Sequence, residues 1–187
     1  MLLLLSAVAC APKPPPEPPV PAAGHPSLPC PAGTSPAGAG PPRGVEAWCA
    51  RPVVGGSTVR EGPAIEFHPD GTVRGRGEYV DGHRSGRWDF TYPDGRAERS
   101  GSYTVGEPDG PWVTYTAAGE VASRGVFSRG REHGPWEFFD EARGTVLSGE
   151  YVDGGRHGRW LEADRSGRTL RELEYQQGRL VSVQELP

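Results

Sequence analysis

Residues 77–88 read GEYVDGHRSGRW, and residues 149–160 read GEYVDGGRHGRW. The two phrases lie 72 residues apart, and the interval is three periods of a shorter repeat. Trp88, Trp112, Trp136 and Trp160 follow one another at a step of 24. Tyr79, Tyr103, Phe127, Tyr151 and Tyr175 keep that step. So do Gly77, Gly101, Gly125 and Gly149, and so do Gly62, Gly86, Gly110, Gly134 and Gly158. A fixed period of this length is the signature of a stacked repeat architecture. Each unit runs G-x-Y-x-x-G-x-x-x-G-x-W, then a strand-like stretch and a second turn. Glycine recurs too often for a helix. The turns DGHRSG, GEPDG, YPDGRAE and TAAGEV supply the residues that tight hairpins need. The expected fold is therefore all-β, an elongated antiparallel hairpin array.

Register follows from arithmetic. A Tyr79–Trp88 pair centres its hairpin between His83 and Arg84. A Trp88–Tyr103 pair centres the next between Gly95 and Arg96. Both fall inside predicted turns. Propagated, they give a ladder of Tyr/Phe and Trp on one face, the repeat core being Tyr79, Trp88, Tyr103, Trp112, Phe127, Trp136, Tyr151, Trp160 and Tyr175. In this register Gly77 and Gly101 sit opposite Phe90 and leave room for its ring. The array degrades at its ends. Ala64 stands where a first Trp would fall, Leu173 replaces a glycine, and no Trp follows it. Terminal repeats are commonly atypical. Gly144 lies one residue beyond the phase of Gly71, Gly95, Gly119 and Gly167, which predicts an altered turn there.

The phrases GEYVDGHRSGRW and GEYVDGGRHGRW resemble MORN repeats (membrane occupation and recognition nexus), in the divergent bacterial form often called YwqK-like antitoxin. The resemblance covers residues 55–182. It implies a twisted β-hairpin ribbon used for interaction.

The start of the chain has a different character. Residues 1–10, MLLLLSAVAC, place an apolar run and small residues before Cys10. This resembles a bacterial lipoprotein signal, in which the cysteine is lipidated and becomes the mature N-terminus. The run lacks a preceding Lys or Arg and is shorter than usual. It is too short for a transmembrane helix. The Pro-rich stretch APKPPPEPPVPAAGHPSLP cannot pack a core and reads as an extended spacer. Cys30 and Cys49 remain, and two leftover cysteines in an exported chain imply one disulfide. Closing a loop of that size stabilises by about 3 kcal/mol. The expected organisation is a signal peptide over 1–9, a lipidated cysteine and Pro/Gly-rich tether over 10–43, a disulfide-stapled cap over 44–63, and repeats over 64–187.

The chemistry-bearing residues point away from catalysis. Net charge is −4, with no electrostatic footprint for nucleic acid. No nucleophile elbow, zincin helix or P-loop is present. His133 and His157 share a phase, but equivalent positions two strands apart stand about 9–10 Å from one another, too far to share an ion. No cofactor, metal or small-molecule substrate is expected, and the chain reads as non-enzymatic. Arg84, Arg87, Arg131, Arg156 and Arg159 cluster by phase at one hairpin edge, where they would meet anionic lipid or an acidic partner. Ala11, in the absence of an aspartate after Cys10, favours the outer membrane facing the periplasm. The expected role is a lipid-anchored envelope scaffold that binds an envelope protein. The alternatives are a phospholipid-binding module acting through the turn arginines and a cytosolic YwqK-like antitoxin.

Overall fold

The computed structural model describes residues 28–187. The signal peptide expected over 1–9, the lipidation of Cys10 and the tether up to residue 27 lie outside the described residues. From Ser35 onward the chain forms thirteen strands in one antiparallel sheet, each strand paired with its sequence neighbours. They are β1 (Ser35–Ala39), β2 (Glu46–Pro52), β3 (Thr58–Phe67), β4 (Val73–Val80), β5 (His83–Thr91), β6 (Ala97–Thr104) and β7 (Glu107–Tyr115). The meander continues with β8 (Val121–Ser128), β9 (Arg131–Asp140), β10 (Thr145–Val152), β11 (Gly155–Asp164), β12 (Thr169–Gln176) and β13 (Arg179–Glu185). At a strand spacing of about 4.8 Å the array is about 58 Å long. Among the described residues no helix is long and apolar enough to cross a membrane.

Two turn types alternate. One is a two-residue loop with both residues at positive φ, as in Asp81 (φ 47°) and Gly82 (φ 82°). It is the mirror-image turn whose twist matches that of the flanking strands. The same loop recurs at Val105–Gly106, Arg129–Gly130, Asp153–Gly154 and Gln177–Gly178. Each of these glycines donates its N–H to a carbonyl of the preceding unit, as Gly106 does to Arg84 at 2.9 Å and Gly130 to Pro108 at 2.9 Å. The stacked turns are thereby tied into one continuous edge. The second turn is wider. Gly95 donates to Tyr92 and Tyr92 donates back to Arg96, the pattern of a turn closed by a glycine bulge. Asp94 accepts from the Arg96 amide and side chain, and those bonds hold its carboxyl below the usual carboxylate range.

The register differs from the sequence arithmetic by four residues beside the tight turn, and by two farther along that hairpin and across the wide turn. Tyr79 faces Arg84, Gly77 sits at an irregularity with the Trp88 ring over it, and Phe90 faces Gly75 and Arg99. Trp88 faces Gly101, and Tyr103 faces Gly86. The physical reason is the two-residue turn. The expected loop DGHRSG is only Asp81–Gly82, and His83 to Gly86 already belong to β5. The chain absorbs the slack in an irregularity beside Gly86, which has φ 63°. Even shifts of this kind leave every side chain on its expected face, because side chains alternate with period two. The altered turn expected at Gly144 is present. The hairpin β9–β10 pairs Thr145 with Asp140 without the register shift found in the other wide turns.

The N-terminal boundaries need correction. The expected tether reached residue 43, yet β1 lies within it and pairs with β2 along its length. Leu28 is buried with Ala47 and Cys49 in a small core beneath Ile65 and Phe67. Cys30 and Cys49 are bonded, with Cα atoms 5.4 Å apart. The disulfide therefore fastens the chain before β1 to the sheet, rather than closing a cap that begins at residue 44.

Candidate functional site

The face carrying the repeat core is the candidate surface. Each Trp lies flat over the glycine of the preceding strand. A Cβ placed on Gly101 would stand 2.2 Å from Cδ2 of Trp112, and one on Gly125 would stand 2.1 Å from Cδ2 of Trp136. Each indole Nε1 donates to the backbone carbonyl ten residues earlier: Trp88 to Glu78 at 3.1 Å, Trp112 to Ser102 at 3.1 Å, Trp136 to Val126 at 3.0 Å and Trp160 to Glu150 at 3.2 Å. A buried indole N–H needs such a partner. The rings then meet edge to face along the ribbon. Centroids are 5.4 Å apart for Tyr79–Trp88, 5.2 Å for Tyr103–Trp112, 5.2 Å for Phe127–Trp136 and 5.3 Å for Tyr151–Trp160. The ladder expected from sequence is thus formed by diagonal neighbours rather than directly facing pairs.

The degraded ends follow from the same geometry. A glycine is required only where a Trp will lie over it. No Trp stands in β13, so Leu173 takes the glycine position and packs in the core with Trp160 and Tyr175. Ala64 faces Trp48 of β2, which supplies the ring missing from the repeat phase and lies over Gly38 of β1.

Guanidinium groups cover this face at both ends. Arg60 stacks 4.7 Å over Trp48 and Arg84 stacks 4.6 Å over Trp88. Arg156 lies 4.5 Å over Trp160. These are cation–π contacts with the charge above the ring. Each arginine is also held by a polar partner. Arg60 donates to Tyr79 Oη at 3.0 Å and pairs with Glu46 at 2.8 Å. Arg84 pairs with the buried Glu66. Arg156 donates to Tyr175 Oη at 3.0 Å. Burial works against the charge on Arg84, but Glu66 and Tyr79 outweigh it, so its acidity is weakened further. Burial likewise opposes the charge on Arg156, and its bonds to Tyr151 and Tyr175 raise its pKa. Burial, with Glu46 adding, pushes the Tyr79 phenol up from 10.0. In the middle units Pro108 and Glu132 hold the arginine phase. Trp88 and Trp160, under arginines, are 0% exposed, whereas Trp112 and Trp136 are 7% and 6% exposed.

The five arginines expected to form one basic stripe are divided between faces. Arg84 and Arg156 are stacked lids of the aromatic face. Arg87 and Arg159 lie on the opposite face and pair with Asp89 at 2.7 Å and Glu172 at 2.6 Å. Arg131 is exposed at the start of β9. The stripe fails because a strand alternates its side chains, so phases 84 and 87 point to opposite sides. Sequence reasoning passed over Arg60, Glu46, Glu66 and Glu162. Arg60 lies one period before Arg84, and that step was the available signal. Glu66 and Glu162 share the phase of Phe90, and Glu162 is buried against Arg171.

His133 and His157 stand in separate units, on β9 and β11. Among the described residues no group of three or more His, Cys, Asp or Glu is placed to hold a metal ion. A shallow hollow lies between β11 and β12, lined by His157, Tyr175 and Gln177. No protein family matches the chain, and no curated protein matches it at a significant level.

Proposed function

We propose that this chain is a lipid-anchored envelope protein whose MORN-like hairpin ribbon serves as a non-enzymatic binding scaffold. The observation that carries the reading is the single open sheet of thirteen strands. Such a layer presents long faces and edges for a macromolecule. Its aromatic face is covered at both ends by its own arginines, and its polar face carries cross-strand pairs such as Arg124–Glu137. The Cys30–Cys49 disulfide supports an oxidising compartment. The apolar start ending in Cys10 supports export and lipidation.

Phospholipid binding through arginines is the weaker reading, because Arg84 and Arg156 are engaged within the fold. A cytosolic antitoxin role fits poorly with the disulfide.

Membrane fractionation of cells making the full chain, beside a Cys10→Ala variant, tests the reading. The scaffold reading expects the parent chain in the membrane fraction after a high-salt wash and the variant released from it. Release of the parent by salt alone would favour arginine-mediated lipid binding. A soluble parent chain would overturn the anchored reading.

A further inference from the structure

The two edges of the sheet are unlike. The β1 edge is five residues long and contains Pro36, which has no N–H to offer a neighbour. The β13 edge, RLVSVQE, has seven residues and contains neither proline nor lysine. Its apolar side chains are open, with Leu180 44%, Val181 48% and Val183 48% exposed. Among the described residues only one side of β13 is paired, by β12. An exposed apolar edge of this kind is a template for strand addition.

The sequence of β13 is complementary to itself. An antiparallel pairing centred on Ser182 sets Val181 of each copy opposite Val183 of the other. It also sets Arg179 of each copy opposite Glu185 of the other, at both ends of the strand. Opposite charges facing across strands are favourable, and like charges are not. The two-fold symmetry makes this contact closed, so it yields a dimer rather than a fibre. We propose that β13 is a homodimerisation edge, joining two chains into one continuous sheet with the aromatic faces on the same side. A seven-residue edge buries little area, so the association belongs to the weak, concentration-dependent class.

Sedimentation equilibrium of the purified full chain, from low micromolar to near-millimolar concentration, tests this. The mass should rise from one chain toward two. Arg179→Glu places Glu against Glu at both ends, and Glu185→Arg places Arg against Arg. Each should weaken association by about tenfold or more. The double variant, Arg179→Glu with Glu185→Arg, restores the opposite pairs and should recover the parent association. Arg179 and Glu185 are exposed, but Glu185 also faces Arg171 of β12 at 4.0 Å. The unfolding midpoint of each variant is therefore measured beside its association, and Arg179→Glu, with an unchanged midpoint, separates loss of pairing from loss of fold. A chain that stays monomeric throughout overturns the proposal. So does a dimer indifferent to the single charge changes, or a double variant no better than the singles.

Discussion

Gly101→Ala examines the packing principle of the ribbon at one atom. The added methyl would stand 2.2 Å from Cδ2 and 2.3 Å from Cε2 of Trp112. Ordinary contact between carbons begins about 1.3 Å farther out. The indole must therefore lift away from the strand. Lifting it strains the 3.1 Å bond from Nε1 to the Ser102 carbonyl and the edge-to-face contact with Tyr103 at 5.2 Å. Overpacking costs about 1–3 kcal/mol. The lost hydrogen bond adds about 1 kcal/mol, and the ring contact about 0.5–1.5 kcal/mol. The total expected is about 3–5 kcal/mol, read from urea unfolding followed by circular dichroism. In a Trp112→Leu background the methyl meets a smaller, flexible side chain. There the same change should cost less than about 1 kcal/mol, leaving a coupling of at least about 2 kcal/mol. A Gly101→Ala chain of parent stability, or an equal cost in both backgrounds, would refute the reasoning.

Three other outcomes are expected. Arg84→Ala removes the cover from Trp88 and leaves Glu66 without its partner; Arg84 is partly exposed, so the loss should be about 2–3 kcal/mol, with quencher access to a Trp that is closed in the parent. Val105 is a β-branched residue at φ 50°, so Val105→Asn should stabilise by about 1 kcal/mol in the same urea assay. Tyr79 has its pKa raised from 10.0 by burial and by Glu46, so its contribution is complete below that pH and is lost as pH rises through the folded value. Alkaline titration of phenolate absorbance should lose a high-titrating step in Tyr79→Phe.

The sequence period made the fold class, the aromatic face and the altered Gly144 turn legible. Periodicity locates side chains on faces because alternation depends only on parity. It does not fix which residues face each other. A two-residue turn at Asp81–Gly82 and a longer loop centred near His83 both satisfy parity, and only the backbone distinguishes them. The arginine lids were obscured for a related reason. Pro108 and Glu132 interrupt the phase of Arg60, Arg84 and Arg156, so the repeat signal weakened where function of the residue mattered most. Folded residues before 44 carry no repeat phase, and proline and glycine there resembled a continued tether although β1 pairs through its backbone alone. The exposed valines of β13 read as the last, decayed unit; their open edge became evident only once the strand order was known.

The most direct measurement is the intact mass of the mature chain recovered from bacterial membranes under non-reducing conditions. The account predicts a polypeptide that begins at an acylated Cys10 and contains an oxidised Cys30–Cys49 pair, with the Cys10→Ala chain unprocessed. An unacylated chain that retains Met1 and has both thiols reduced would contradict export and anchoring, leaving a ribbon that works in the cytosol.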